Sequence, residues 1–116
     1  MATSKIKGNG GYKTSSLSSP LSGATLTHNS CWSDGNVVNI GLTISNIDVA
    51  ANGTVATVPE GYRPTSYTAR GIGYALVNGA YTPCMVAIGN AGTVDIGISQ
   101  SKHMTYFEFA ATYGIH

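Results

Sequence analysis

His28, Trp32 and Asp34 are the residues whose types and close spacing in this sequence best suit ligand binding. An aromatic ring can stack on the apolar face of a sugar, while an imidazole and a carboxylate can hydrogen-bond to its hydroxyl groups. Tyr81 adds a ring beside a predicted loop, and Arg70 adds a guanidinium. The pattern predicts a carbohydrate-binding surface that includes these five residues. The competing interpretation is that such rings cover the edges of the core and that Arg70 pairs with a carboxylate of the same chain.

The chain has few residues that could support catalysis. It offers three histidines and five carboxylates, and no serine lies in a G-x-S-x-G elbow. A glycosidase needs only two carboxylates at a defined separation, and the candidates are Asp34, Asp48, Asp95 and Glu108. Asp34 lies beside Gly35 and Asp48 lies two residues after Asn46, and aspartate near such residues usually forms a turn. We therefore expect a non-enzymatic protein that needs no cofactor.

The histidines do not form a metal-binding motif. His28, His103 and His116 lack a partner four residues away and a cysteine or glutamate at ligand spacing. We therefore expect no metal site. One arrangement stays open, because a single histidine on a three-fold axis would supply three ligands.

The sequence Gly71-Ile72-Gly73 resembles a fragment of a nucleotide-binding motif, but no helix pattern follows it. Without a helix N-terminus there is no site for a phosphate. The two glycines instead predict a strand face that leaves room for a ring, for which Tyr67 and Tyr74 are candidates, or for close approach of another strand.

The composition indicates one domain with a weakly charged surface. The chain has 116 residues, a net charge of +1 and only 9% charged residues, against about 25% in average proteins. Such a surface has no basic face to bind nucleic acid. Removing water from it costs little free energy, which favours a homo-oligomer. No window is apolar enough to span a membrane and the N-terminus has no apolar signal region, so we expect neither membrane insertion nor Sec-type export.

The two cysteines, Cys31 and Cys84, could form a disulfide or stay reduced. Cys84 begins the apolar run Cys84-Met85-Val86-Ala87-Ile88, which favours buried thiols. We therefore expect free thiols.

The chain divides into an arm and a domain. Residues 1–22 are rich in lysine, glycine and serine and are predicted to be an unpacked arm or linker. Residues 23–116 carry short apolar alternations separated by turn residues, the pattern of an antiparallel β-sandwich with a jelly-roll-like arrangement. No helical period is present.

Strands are predicted at 38–45, 54–58, 67–77, 83–88, 93–98 and 104–113. Asn52-Gly53 is a type I′ hairpin signal before the second of these, and Asn78-Gly79 and residues 89–92 are turn signals between later strands, with the last hairpins forming a meander. The final strand has aromatic residues on both faces, so it is expected to be central or to lie in a subunit contact.

The segment Pro59-Glu60-Gly61-Tyr62-Arg63-Pro64 predicts a corner. Its two prolines remove backbone donors and fix φ twice, so the strand must stop at Val58. We expect the corner to be architectural.

From about Ile40 to Ile98 the chain resembles the head domains of bacteriophage tail-fibre and baseplate receptor-binding proteins. The resemblance rests on the order of an alternating strand, the Asn-Gly turn, the Pro59 to Pro64 corner and the run from Val86 to Ile96. It implies a homotrimeric β-sandwich head at the tip of a tail fibre or baseplate. It also implies that the head binds host cell-surface saccharide near subunit boundaries, with residues 1–22 attached to other virion proteins.

Three functional hypotheses follow. The first is a non-enzymatic phage receptor-binding head that recognises a host glycan. The second is a structural virion protein, such as a capsid decoration or fibre-attachment module, that binds another viral protein. The third and weakest is a glycan-cleaving enzyme.

Overall fold

The computed structural model describes residues 12–115, and within this range the chain forms eight β-strands and no helix. Alternating apolar residues define most of these strands, as the sequence predicts. The strands are β1 (Lys13–Ser15), β2 (Thr25–Ser33), β3 (Val37–Val49), β4 (Thr54–Thr57), β5 (Ala69–Val77), β6 (Ala80–Ile88), β7 (Thr93–Gly97) and β8 (Lys102–Gly114).

All eight strands belong to one antiparallel sheet in the order β1-β2-β3-β8-β5-β6-β7-β4, curled into a half-barrel. The all-β antiparallel class is therefore confirmed. β8 pairs with β3 on one side and β5 on the other, so the prediction that the aromatic-rich last strand is central is also confirmed. β5, β6 and β7 form the predicted meander, but β8 does not continue it, because its partners are β3 and β5.

The inner face of the curled sheet forms the core. Phe107, at the middle of β8, is fully buried, and its ring lies beside Gly73 of β5. A Cβ atom at Gly73 would lie 2.6 Å from Cζ of Phe107. The expectation that these glycines make room for a ring is therefore met by Phe107 and not by Tyr67 or Tyr74, because both tyrosines are about half exposed. The largest fully buried side chains are Phe107, Leu42, Ile44, Ile47, Ile88, Ile96, Met104, Val38, Val49, Val55, Val58 and Val86.

Part of the predicted N-terminal arm is packed into the sheet. β1 pairs with the end of β2, and Ser18 forms an antiparallel bridge with Thr57 of β4 at the opposite edge. Leu17 between them is buried, and its backbone N–H and C=O bond the side-chain amide of Asn29 at 2.7 and 2.6 Å. The expectation of an unpacked arm therefore does not hold for residues 13–19. The polar, serine-rich composition does not indicate this packing, because main-chain hydrogen bonds, and not buried apolar side chains, hold most of the segment in place. Residues 1–11 lie outside the described range.

The two Asn-Gly turns differ. Asn78 and Gly79 both have positive φ, as a type I′ turn requires, and they join the paired strands β5 and β6. At Asn52-Gly53 the prediction of a type I′ hairpin is wrong. Asn52 has positive φ, but β4 leaves β3 and pairs with β7, so the turn joins two strands that are not neighbours in the sheet.

The corner from Pro59 to Pro64 is held from three sides. The Arg63 side chain donates from Nε to the carbonyl oxygen of Val58 at 2.8 Å, and the hydroxyl of Tyr113 donates to the carbonyl oxygen of Tyr62. The ammonium of Lys13 lies 4.8 Å from the centroid of the Tyr62 ring and donates to the carbonyl oxygen of Gly61 at 3.1 Å. All four contacts lie within the same chain, which supports an architectural role for the corner.

Both cysteines are free and buried. Burial raises the pKa of the Cys31 thiol to about 11, against a smaller lowering effect of Lys13. Neither thiol is therefore poised as a nucleophile near neutral pH.

Candidate functional site

The outer face of the half-barrel carries the side chains that the core does not use. Along β8, Phe107 and Phe109 point inward, so Tyr106, Glu108 and Ala110 point outward. In β5 the same alternation sends Ile72 and Tyr74 outward. Because β5 and β8 are neighbours, these two outward rows lie side by side.

Tyr74 and Glu108 are direct cross-strand partners, and Leu76 is the partner of Tyr106. The Tyr106 hydroxyl donates to Oε2 of Glu108 at 3.1 Å. This bond orients the carboxylate beside the Tyr74 ring, which is 49% exposed. The outer face therefore carries two tyrosine rings and a carboxylate that is hydrogen-bonded to one of them.

His28 reaches the same face because of an irregularity in β2. The register of β2 against β3 shifts between Thr27 and Ser30, and His28 within this bulge has a positive φ of 47°. A bulge redirects a side chain from the regular alternation of the strand. Gly41, the cross-strand partner of Ser30, has no side chain, so the surface beside His28 is left open.

Together these residues line an open groove of about 600 Å³. That volume falls within the range of about 300 to 1,000 Å³ that is usual for ligand sites. Tyrosine hydroxyls, the Glu108 carboxylate, the His28 imidazole and two small hydroxyl side chains can all hydrogen-bond to a ligand, and Tyr74 can stack on one. The lining residues are His28, Ser30, Gly41, Leu42, Thr43, Ile72, Tyr74, Tyr106, Glu108, Phe109 and Ala110.

The groove lining contains a single carboxylate, that of Glu108. A retaining or inverting glycosidase of the usual kind places two carboxyl groups across one bond. The lining therefore does not contain the pair of carboxyl groups that such a glycosidase uses.

The five residues predicted to bind ligand are dispersed. His28 lines the groove, and Tyr81 lies next to it, with its ring edge-to-face with Tyr106 at 6.4 Å between centroids. Trp32 is outside the groove at the end of β2, packed edge-to-face on Tyr12 at 5.3 Å. Asp34 accepts hydrogen bonds from the backbone N–H groups of Asn36 and Val37, both at 2.9 Å, and so forms the turn between β2 and β3. Arg70 lies exposed on β5 opposite Ala87.

Tyr74, Tyr106 and Glu108 were not selected from the sequence as a ligand site. Their outward orientation follows from strand alternation, which the sequence does show. Their proximity depends on the pairing of β5 with β8, two strands separated by two others along the chain, and local patterns carry no signal for that pairing.

A second feature of the outer face is the apolar strip, formed by Ile72, Tyr81 and Met85. Ile72 of β5 is the direct partner of Met85 of β6, and Tyr81 is the partner of Leu76. The three side chains of the strip are 61%, 63% and 57% exposed respectively. Exposed apolar side chains grouped in this way are typical of contact surfaces.

Other groupings of polar residues are sparse. Nδ1 of His103 and Oδ1 of Asp48 lie 2.8 Å apart in an exposed pair between β8 and β3, so Asp48 is not the turn former that the sequence suggested. Within residues 12–115 no group of three or more His, Cys, Asp or Glu residues could hold a metal ion. His116 lies outside that range. No helix among the described residues has the length and hydropathy needed to cross a membrane.

Comparison with known proteins gives no family for this chain: no protein-family model matches it, and no curated protein sequence matches it.

Proposed function

We propose that this protein is the non-enzymatic head of a phage adhesion device and that its outer groove binds a host cell-surface saccharide. The observation that carries the proposal is the groove itself, in which the Tyr74 ring, the Tyr106–Glu108 hydrogen bond and the His28 imidazole face one open space. Saccharides present apolar C–H faces to rings and hydroxyl groups to carboxylates and imidazoles. The resemblance of the corner and its flanking strands to phage heads supplies the biological setting, at the tip of a tail fibre or baseplate.

The proposal includes a homotrimer of jelly-roll-like β-sandwich heads. The apolar strip of Ile72, Tyr81 and Met85 supports this part, because its exposure in a single subunit is costly and a second copy would cover it. Because few residues of the chain are charged, removing water from such a contact also costs little free energy.

A structural virion protein is the second candidate, and the same strip favours it, since another viral protein could cover the strip as well as a second copy. The two candidates differ in the groove. A decoration or attachment module has no need of an open, polar groove beside its contact surface, whereas a receptor-binding head does.

The proposal is tested by measuring adsorption of the purified protein to a panel of bacterial cells and to their purified surface polysaccharides. Saturable binding that free polysaccharide competes away is the expected result. A well-folded oligomer that binds none of the panel, but that binds purified virions, contradicts the receptor-binding function and supports the structural one. Release of new reducing ends from a polysaccharide would contradict the non-enzymatic part.

A further inference from the structure

One end of the half-barrel contains a second cavity, separate from the outer groove. It has a volume of about 350 Å³ and lies where β5 ends, β6 begins and the β7–β8 loop crosses. It shares no lining residue with the groove. Its lining residues are Ala75, Val77, Thr82, Pro83, Cys84, Gly97, Ile98, Ser99, Lys102 and Met104.

The cavity has a mixed lining of apolar and polar side chains. Of the apolar ones, Met104 and Ala75 are fully buried, and Ile98 is 9% exposed. Met104 faces inward, because it is the partner of the buried Ile47 in β3. A space of this size at the end of a curled sheet, with an apolar part and a few polar groups, is a usual place for a small ligand.

The rim of the cavity carries one cation. Lys102 is the partner of Val49, which is buried, so the lysine side chain starts on the inner side of β8 and extends to the exposed end of the sheet. The hydroxyl side chains of Thr82 and Ser99 also line the cavity. The only charged residue in the lining is therefore a lysine, and no carboxylate lines the cavity. Asp48 lines a neighbouring hollow together with Lys102, but its ion pair is with His103.

Cys84 lies in the wall of the cavity. Its side chain is 6% exposed, and its Sγ lies 3.7 Å from the carbonyl oxygen of Thr82, to which it donates. Burial raises the pKa of this thiol, and the positive charge of Lys102 acts in the opposite direction. The field of the ammonium therefore reaches the wall of the cavity, and Cys84 can report on what occupies it.

We propose that this cavity binds a small molecule with an apolar body and one carboxylate, the body lying against Val77, Ile98 and Met104 and the carboxylate pairing with Lys102. An ammonium–carboxylate hydrogen bond is among the stronger polar contacts in proteins, and it lies here at the boundary between an apolar space and water. A cationic amphiphile would place like charges together and is excluded by the same geometry.

The test uses octanoate as the probe and the alkylation of Cys84 by iodoacetamide, at mildly alkaline pH, as the readout. Cys31 is an internal reference, because it is 1% exposed and lies outside the cavity. Octanoate should slow alkylation of Cys84 in a saturable manner and leave Cys31 unlabelled, whereas labelling of both would indicate unfolding and would overturn the proposal. Binding of octanoate to the apolar strip would not protect Cys84.

The charge requirement is tested with Lys102→Gln, Lys102→Arg and Arg70→Gln. Lys102 is exposed, so its replacement leaves the core intact. The half-protecting concentration of octanoate should rise about tenfold or more in Lys102→Gln, which loses a hydrogen bond to a charged group. The half-protecting concentration should stay within about twofold in Lys102→Arg, which keeps the positive charge. It should also stay within about twofold in Arg70→Gln, which changes the net charge as Lys102→Gln does, but on the outer face.

Octan-1-ol and octylammonium complete the set of probes. The alcohol should protect about tenfold more weakly than octanoate, and the ammonium should not protect. The proposal is overturned if octanoate gives no protection at millimolar concentration, if Lys102→Gln binds octanoate as the unaltered protein does, or if octylammonium protects equally well.

Discussion

Ser18 and Thr57 join the two edges of the sheet by a reciprocal pair of backbone hydrogen bonds. The N–H of Ser18 donates to the carbonyl oxygen of Thr57 at 3.1 Å, and the N–H of Thr57 donates to the carbonyl oxygen of Ser18 at 2.7 Å. Since β1, just before Ser18, pairs with β2 at the other edge, the N-terminal segment spans the open side of the half-barrel. The segment therefore protects two edges that would otherwise present unpaired backbone groups.

Replacing Ser18 by proline should destabilise the protein by about 1 to 3 kcal/mol, because it removes the donor and leaves the Thr57 carbonyl without its partner. Ser18→Ala is the matched control, since it keeps the backbone bonds, and it should change the free energy of unfolding by less than about 0.5 kcal/mol. Urea denaturation of both variants measures the difference. Equal midpoints would show that the bridge does not stabilise the sheet.

Gly73→Ala should cost about 1 to 3 kcal/mol, because its Cβ would lie 2.6 Å from the Phe107 ring and 2.8 Å from the carbonyl oxygen of Glu108. Gly71→Ala, two residues earlier on the same strand, is the control, because its nearest neighbour would be 3.5 Å away. Thermal denaturation should separate the two variants by several degrees. A Gly71 variant as unstable as the Gly73 variant would argue against close packing on Phe107 as the cause.

Stability should fall at alkaline pH through Cys31. The pKa of its thiol is raised by burial from its ordinary value of 9.0 to about 11 in the folded protein. The stability that this shift contributes is complete below the unfolded pKa and is lost as pH rises toward the folded value, reaching a loss of ~1.4 kcal/mol near pH 10. Urea midpoints at neutral pH and near pH 10 should therefore differ less in Cys31→Ala than in the unaltered protein. Identical pH dependence in the two proteins would contradict the shift.

Met85→Glu should dissociate the proposed oligomer, because it places a charge in the apolar strip directly opposite Ile72. Ala51→Glu, in an exposed turn away from the strip, adds the same charge and should leave the mass unchanged. Light scattering at matched concentration measures both. If the unaltered protein has a mass near 12.0 kDa, the mass of one chain, the oligomer is excluded.

The sequence predicts the later part of the fold better than the first. In β3 and β7 apolar residues alternate with polar ones. The bounds predicted for β7 are within one residue of those observed, whereas β3, predicted at 38–45, extends to Val49. β2 was missed because the run Thr25–Ser33 has few apolar residues and is interrupted by the bulge at His28. The pairing of β4 with β7 also could not be predicted, because the Asn52-Gly53 turn favours a local hairpin that a long-range pairing replaces.

The residues of the candidate site, like the strands, could be predicted from the sequence only in part. His28 was identified from its own chemistry, and the bulge then placed it on the outer face. Trp32 and Asp34 are its neighbours along the chain, but strand geometry and the Asp34 turn separate them from the groove. Tyr74 and Glu108 are distant in sequence and become partners only through the β5–β8 ladder.

The central claim, that the outer groove binds saccharide, is tested most directly by comparing Tyr74→Ala with Trp32→Ala in a titration against a surface polysaccharide that the unaltered protein binds. Both rings are exposed on the same sheet, but only Tyr74 lines the groove. The account predicts that Tyr74→Ala weakens binding about tenfold, a loss of ~1.4 kcal/mol, and that Trp32→Ala stays within about twofold. Loss of binding in Trp32→Ala with unchanged binding in Tyr74→Ala would contradict the account and would place the saccharide at the end of β2.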